Sequence, residues 1–210
     1  MDTKHDSGDW TPLGQLPDPA TGEIRAKGYN TDAEAITLAL RKDLGLNLTG
    51  ERVLLLGAGG AGRVAALKLA AEGISELYLV NRTVNKAKQL ADELAKRFPQ
   101  TKAFIGYPQK NAEKIDLVLN ATSLGLKPDD KLPLDESQFS LAKVTAVFDM
   151  VYQPPITPLL AKAAETGCRT ANGLGMLLWQ GAKAFEIWTG HEAPIDIMKA
   201  ALKSHIYGDE

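Results

Sequence analysis

Hydrophobic positions along the chain fall into two recurring patterns. Short unbroken apolar runs have the length and composition of strands: "RVLLLG" (52–57), "ELYLVN" (76–81), "KAFIGY" (102–107), "KIDLVLNAT" (114–122) and "VTAVFDMVY" (144–152). The first two are expected to be buried. Between the runs, apolar residues recur at helical spacing. Ala35, Ile36, Leu38, Ala39 and Leu40 mark a helix from about Ala33 to near Gly45, and a second spans about Ala61 to Ala71 before Gly73. "VNKAKQLADELAKRF" (84–98) is an amphipathic helix stopped by Pro99. "TPLLAKAAETG" (157–167) and "GMLLWQGAKAFEIWTG" (175–190) each close on a glycine, and "APIDIMKAALKSH" (193–205) has Pro194 in its first turn.

Strand and helix alternate from residue 52 to about 166. That order predicts an α/β fold, a doubly wound, mainly parallel Rossmann-type sheet with flanking helices. Residues 28–210 form one expected domain. Residues 1–27 are rich in Asp, Gly and Pro and read as a short extension, with "GEIRAKGY" (22–29) able to form one short strand. In the helix over 175–190, Met176, Leu177, Leu178, Phe185 and Trp188 are expected to be mostly core.

Composition narrows the classes of function. A net charge of −2 gives no basic surface for nucleic acid or anionic membrane. No apolar run reaches the roughly 18 residues of a membrane span, and "MDTKHDSGDW" has no secretory core. Cys168 is the one cysteine, expected as a small buried residue, which fits a reducing, cytoplasmic setting. His5, His191 and His205 lie far apart without ligand spacing, so no metal site is expected.

Three stretches carry candidate chemistry. "GAGGAG" (57–62) is a G-x-G-x-x-G that follows a strand and opens a helix, the context in which it binds a dinucleotide. Gly57 permits the tight turn, Gly59 admits a pyrophosphate to the backbone, and Gly62 lets helix and strand pack closely. Ala58, Gly60 and Ala61 complete the loop at a helix end whose free N–H groups attract phosphate. At the end of the next strand, an NAD site has a carboxylate for the ribose hydroxyl. Here stand Asn81 and Arg82, 24 and 25 residues after Gly57, then Thr83 and Lys86. A cation attracts a 2′-phosphate that a carboxylate would repel, so NADP is expected over NAD. "NATSLG" (120–125) ends the fourth strand, on the side where open α/β sheets bind ligands, with Thr122 placed to approach a cofactor.

"KGYNTDAEA" (27–35) admits two readings. Thr31 and Glu34 fit a capping box, with Asp32 favourable in the first helical turn. Asp32 is also a candidate catalytic carboxylate, and a helix start can hold such a group rigidly.

Taken in order, "GYNTD", "GAGGAGR", "VNRT", "NATSLG", "FDMVYQPPITPLL" and "NGLGMLLWQGAKAFEIWTG" resemble the motifs of the shikimate dehydrogenase family over residues 28 to about 190. The resemblance implies reduction of 3-dehydroshikimate to shikimate with NADPH, between a substrate domain and a cofactor domain. It implies Asp32 as the catalytic aspartate. It places Gly57 to Ala61 at the pyrophosphate and Asn81 to Lys86 at the adenosine phosphate. Met150, Gly173 and Met176 would line the nicotinamide, and Tyr152 and Gln180 would contact substrate.

The family pairs its aspartate with a lysine in the N-terminal substrate domain. Only Lys4 and Lys27 precede "GYNTD" here, in no matching context, so that domain is expected to be missing and residues 1–27 to be a remnant of the interdomain segment. "AEA" follows "NTD" where many members have a glycine, and Leu126 replaces a common methionine. Two readings stand: the cofactor half of a shikimate dehydrogenase, completed as a homodimer or by a separate substrate-domain chain, or an NADP-binding module without dehydrogenase activity that takes another ligand or partner.

Overall fold

The computed structural model describes residues 28–109, 114–127 and 129–208. Six parallel strands form one sheet: β1 (Arg52–Leu56), β2 (Glu76–Val80), β3 (Lys102–Ile105), β4 (Ile115–Asn120), β5 (Val144–Asp149) and β6 (Arg169–Asn172), in the order β3-β2-β1-β4-β5-β6. The helices are α1 (Thr31–Leu44), α2 (Gly60–Ala71), α3 (Val84–Arg97), α4 (Pro158–Glu165), α5 (Leu174–Thr189) and α6 (Ile195–Tyr207). The doubly wound Rossmann-type sheet is as expected, and the order reverses beside β1, between β2 and β4.

The strand period of two divides the core into two layers. Val53 and Leu55 of β1 join Leu117, Leu119 and Phe148 in a layer covered by α1, α2, α3 and α5. Leu54 and Leu56 join Val118 and Val147 in the opposite layer, under Leu159, Leu160 and Ala163 of α4. β1 is buried on both faces, as its unbroken apolar run requires. β2 is buried on one face only, through Leu77 and Leu79, while Tyr78 stacks on Phe104 of the edge strand β3 with ring centroids 4.9 Å apart.

Several expectations are corrected. β6 has no apolar run: Arg169 and Thr170 are exposed, and only its pairing with buried β5 makes "RTAN" a strand. Such a strand is specified by its neighbour, not by its own pattern. The N-cap of α1 is Asn30, whose Oδ1 accepts the Asp32 N–H at 3.1 Å; Thr31 is already helical, so the Thr31–Glu34 capping box does not form. Trp188, in the last turn of α5, is 76% exposed; Leu174, Leu178 and Ala182 supply the buried face instead. Met176, Leu177 and Phe185 are half-buried. Cys168 is buried as expected, and His191 and His205 are exposed. Of the strand expected over residues 22–29, only Gly28 and Tyr29 are described, and they are irregular; His5 also lies outside the described residues.

Candidate functional site at the carboxyl ends of the strands

The register aligns Leu56, Val80, Asn120, Asp149 and Asn172 across the sheet, so five strands end in one row. The backbone continues that row for one more residue. Gly57 N–H donates to Val80 O (2.8 Å), Ala121 N–H to Leu56 O (2.8 Å), Met150 N–H to Asn120 O (2.9 Å) and Gly173 N–H to Val151 O (3.3 Å). Residues separated by more than a hundred positions thus meet along one edge.

Sterics hold this edge close. Gly57 has φ +104°, and a Cβ there would lie 2.9 Å from Ala121 O. A Cβ on Gly62 would lie 2.1 Å from Gly57 O, and one on Gly173 2.1 Å from Met150 O. Only glycine allows these approaches. Gly59 and Gly60, in contrast, have nothing within 4 Å of a built Cβ, so the start of α2 faces open space. The Gly59 N-cap makes no side-chain capping bond. Free helix N–H groups, a positive dipole end and open room fit a pyrophosphate.

Two grooves flank this helix start. One, about 430 Å³, is bordered by Ala58, Gly59, Gly60, Lys86, Arg63 and Glu93. Asn81 ties the loop to the turn after β2: its Oδ1 accepts the Ala58 N–H at 2.9 Å, and its Nδ2 donates to Thr83 O at 2.8 Å. Arg82, Thr83 and Lys86 are exposed, Lys86 on the border of this groove, and the Thr83 side chain makes no capping bond to α3. Arg63 forms a bidentate pair with Glu93, at 2.9 and 2.6 Å, and Arg97 adds a third bond at 3.0 Å. Burial opposes ionisation of Glu93, but these bonds outweigh it and hold the carboxyl below its usual range. Arg63 stood in the quoted "GAGGAGR" without a role; only the packing of α2 against α3 brings it to the groove.

The other groove, about 620 Å³, is lined by Ala61, Thr122, Met150, Val151 and Tyr152, among others. Beneath it lies a buried polar network absent from the sequence reading. Asn120 Oδ1 accepts the Thr122 N–H (3.0 Å) and Oγ1–H (2.8 Å), while its Nδ2 donates to Asp149 Oδ1 (2.8 Å). Thr157 Oγ1 donates to Asp149 Oδ2 at 2.6 Å. The available signal was a carboxylate closing the apolar strand "VTAVFD".

Gly173 sits beside Met150, and Met176 packs half-buried on the core layer containing α1. Asp32 is exposed at the start of α1 and Gln180 half-buried on α5; neither lines either groove. A third cavity, about 610 Å³, lies among α1, α4, α5 and α6 and contains none of the expected site residues. Its lining mixes cationic and anionic side chains, Lys42, Lys199 and Lys203 with Asp43 and Asp196. The strand-end grooves are therefore the better nucleotide candidate. Among the described residues no cluster of His, Cys, Asp and Glu has the makings of a metal site, and no helix is long and apolar enough to cross a membrane.

Residues 38–150 match the family model for shikimate/quinate 5-dehydrogenase, and residues 173–203 match that for the shikimate 5′-dehydrogenase C-terminal domain. The chain belongs to the shikimate dehydrogenase family. It is 38% identical over 186 residues to the shikimate dehydrogenase (NADP(+)) of Methanopyrus kandleri, covering 87% of this chain and 64% of that protein. It is 39% identical over 199 residues to the enzyme of the same name from a Geobacter species (strain M21), covering 92% of this chain and 68% of that one. The structure of shikimate 5-dehydrogenase from Thermus thermophilus, in complex with NADP(H) and shikimate, superposes with a TM-score of 0.69 at 37% identity, covering 84% of this chain and 62% of that chain. The chain thus spans less than two thirds of the first of these relatives and of the solved structure. Within the shikimate dehydrogenase family, both matched segments carry the strand-end edge: one ends at Met150 and the other begins at Gly173, the two residues in steric contact there.

Proposed function

We propose that residues 28–210 are the nucleotide-binding unit of an NADP-dependent shikimate dehydrogenase, a cytoplasmic oxidoreductase interconverting 3-dehydroshikimate and shikimate. The observation that carries the reading is the open, uncapped start of α2 after the Gly57–Gly60 loop, beside a groove that Lys86 also borders. Ala58 to Ala61 would hold the pyrophosphate, and Arg82, Thr83 and Lys86 the 2′-phosphate, with Asn81 fixing one to the other. Thr122, Met150, Gly173 and Met176 would take the nicotinamide, which supplies or accepts the hydride when bound.

Tyr152 and Gln180 would meet the substrate, and Asp32 would handle the proton at its reacting oxygen. The exposure of Asp32 agrees with a site completed by a further wall, from a second copy or a separate substrate-domain chain that brings the cation this chemistry needs. The test is NADP⁺ reduction by the purified chain at saturating shikimate, compared with Asp32→Asn, alongside NADPH and NADH titrations. Turnover that the substitution abolishes supports the full reading. NADPH binding without turnover assigns the chain to nucleotide binding alone. Equal affinity for NADPH and NADH removes the NADP assignment.

A further inference from the structure

Asp149 is fully buried at the end of β5, and its hydrogen-bond partners among the described residues are all neutral. Oδ1 accepts from Asn120 Nδ2 at 2.8 Å and from the Val151 N–H at 3.0 Å; Oδ2 accepts from Thr157 Oγ1 at 2.6 Å. Thr157 Oγ1 also accepts the Leu160 N–H at 3.3 Å, which fixes the hydroxyl between the helix start and Asp149. Three donors converge on the two oxygens, which is the arrangement of an ionised carboxylate. Burial pushes the carboxyl above its ordinary value, and the three hydrogen bonds oppose that rise. A buried charge without a counter-ion is costly, so its retention at this position calls for a reason.

The position supplies one. Met150, Val151 and Tyr152, which follow Asp149 in the chain, line the 620 Å³ groove, and Thr122 on its opposite wall hangs from Asn120. The carboxylate lies within about 10 Å of that groove, two to three Cα steps away. The oxidised nicotinamide ring is a cation and the reduced ring is neutral. We propose that Asp149 serves as the buried counter-charge of this groove, favouring the oxidised over the reduced nicotinamide nucleotide. This rests on the nucleotide reading above. Unit charges about 10 Å apart at an effective dielectric near 20 change an equilibrium roughly tenfold.

The experiment titrates the 210-residue chain with NADP⁺ and with NADPH separately, following binding by calorimetry. The wild type is expected to prefer NADP⁺. Asp149→Asn keeps the shape, removes the charge, and should shift the ratio of the two dissociation constants roughly tenfold toward NADPH. Thr157→Ser keeps both the donor hydroxyl and the carboxylate's charge, so its ratio should stay within about twofold of wild type. A ratio unchanged in Asp149→Asn, with both affinities falling alike, would show a purely structural role and overturn the proposal. So would a Thr157→Ser shift as large as that of Asp149→Asn. Should Asp149→Asn fail to fold, the wild type decides, since tighter binding of NADPH than of NADP⁺ contradicts a dominant buried counter-charge. A wild type that binds neither nucleotide fails the nucleotide reading itself, and this inference with it.

Discussion

Two alanine substitutions in one loop should separate packing from binding. Gly62 is buried in the first turn of α2, and a Cβ there would lie 2.1 Å from Gly57 O and 2.9 Å from Gly57 C, against an ordinary contact of at least 3.4 Å. The opposing atoms are backbone, so no side chain can swing aside. Relief requires α2 to retreat by more than an ångström, yet Ala65, Ala66 and Leu69 hold it to the sheet at 0% exposure. Overpacking of this kind costs about 1–3 kcal/mol, and a backbone clash belongs at the upper end. At about 2–4 °C per kcal/mol for a chain of this size, Gly62→Ala should lower Tm by roughly 5–10 °C. Gly59 presents the opposite case: its φ is −82°, and nothing lies within 4 Å of a Cβ. Alanine there gains from a less free unfolded chain but is a poorer N-cap than glycine, so stability should change by no more than about 1 kcal/mol. The methyl group would enter the space proposed for the pyrophosphate, so NADPH affinity should fall at least about tenfold. Thermal melts and NADPH titrations on both variants make the comparison. Gly59→Ala binding NADPH like wild type would refute the placement of the phosphates. An unchanged Tm in Gly62→Ala would refute the close packing of loop and helix.

Other outcomes follow from the same geometry. Arg82→Ala should weaken NADPH about tenfold and leave NADH unchanged; parallel losses would show that the arginine does not reach the 2′-phosphate. Asn81→Ala removes the bonds to Ala58 N–H and Thr83 O, and should cost about 1–2 kcal/mol of stability by urea denaturation, because both loops lose their tie. Glu51 has its carboxyl pushed up to about 7 by burial, then by its hydrogen bond and charge repulsion with Asp116. The folded state therefore holds a proton there that the unfolded state releases near 4.5. The resulting stability is fully present below about pH 4.5 and lost as pH rises through 7. With solvent screening the effect is about 1 kcal/mol or less. Urea midpoints at pH 5 and pH 8 should differ less in Glu51→Gln than in wild type; an equal difference would place the pH dependence elsewhere.

The sequence by itself determined the layered core and the glycine loop, because both are local. β1 is an unbroken apolar run that must be buried on both faces, and Gly57 and Gly62 are backbone requirements that any sequence with that turn has to meet. The start of α1 was legible as a helix start, though not its cap. Asn30 and Thr31 are both competent capping residues, and the backbone angles at Asn30 chose between them. Trp188 shows where periodicity fails: it fits the apolar stripe of α5, but it falls in the last turn of that helix and stays exposed. Only tertiary structure made β6 a strand, since its polar residues are ordered by hydrogen bonds to β5 rather than by burial of their own. Only tertiary structure, too, brought Asn120, Asp149 and Thr157 together. Each looks like an ordinary strand-end or turn residue until parallel register sets Asn120 beside Asp149 and leaves a buried carboxylate beside the groove. Spacing along a chain fixes what neighbours in sequence can do; contacts between strands far apart in sequence exist only once the sheet has formed.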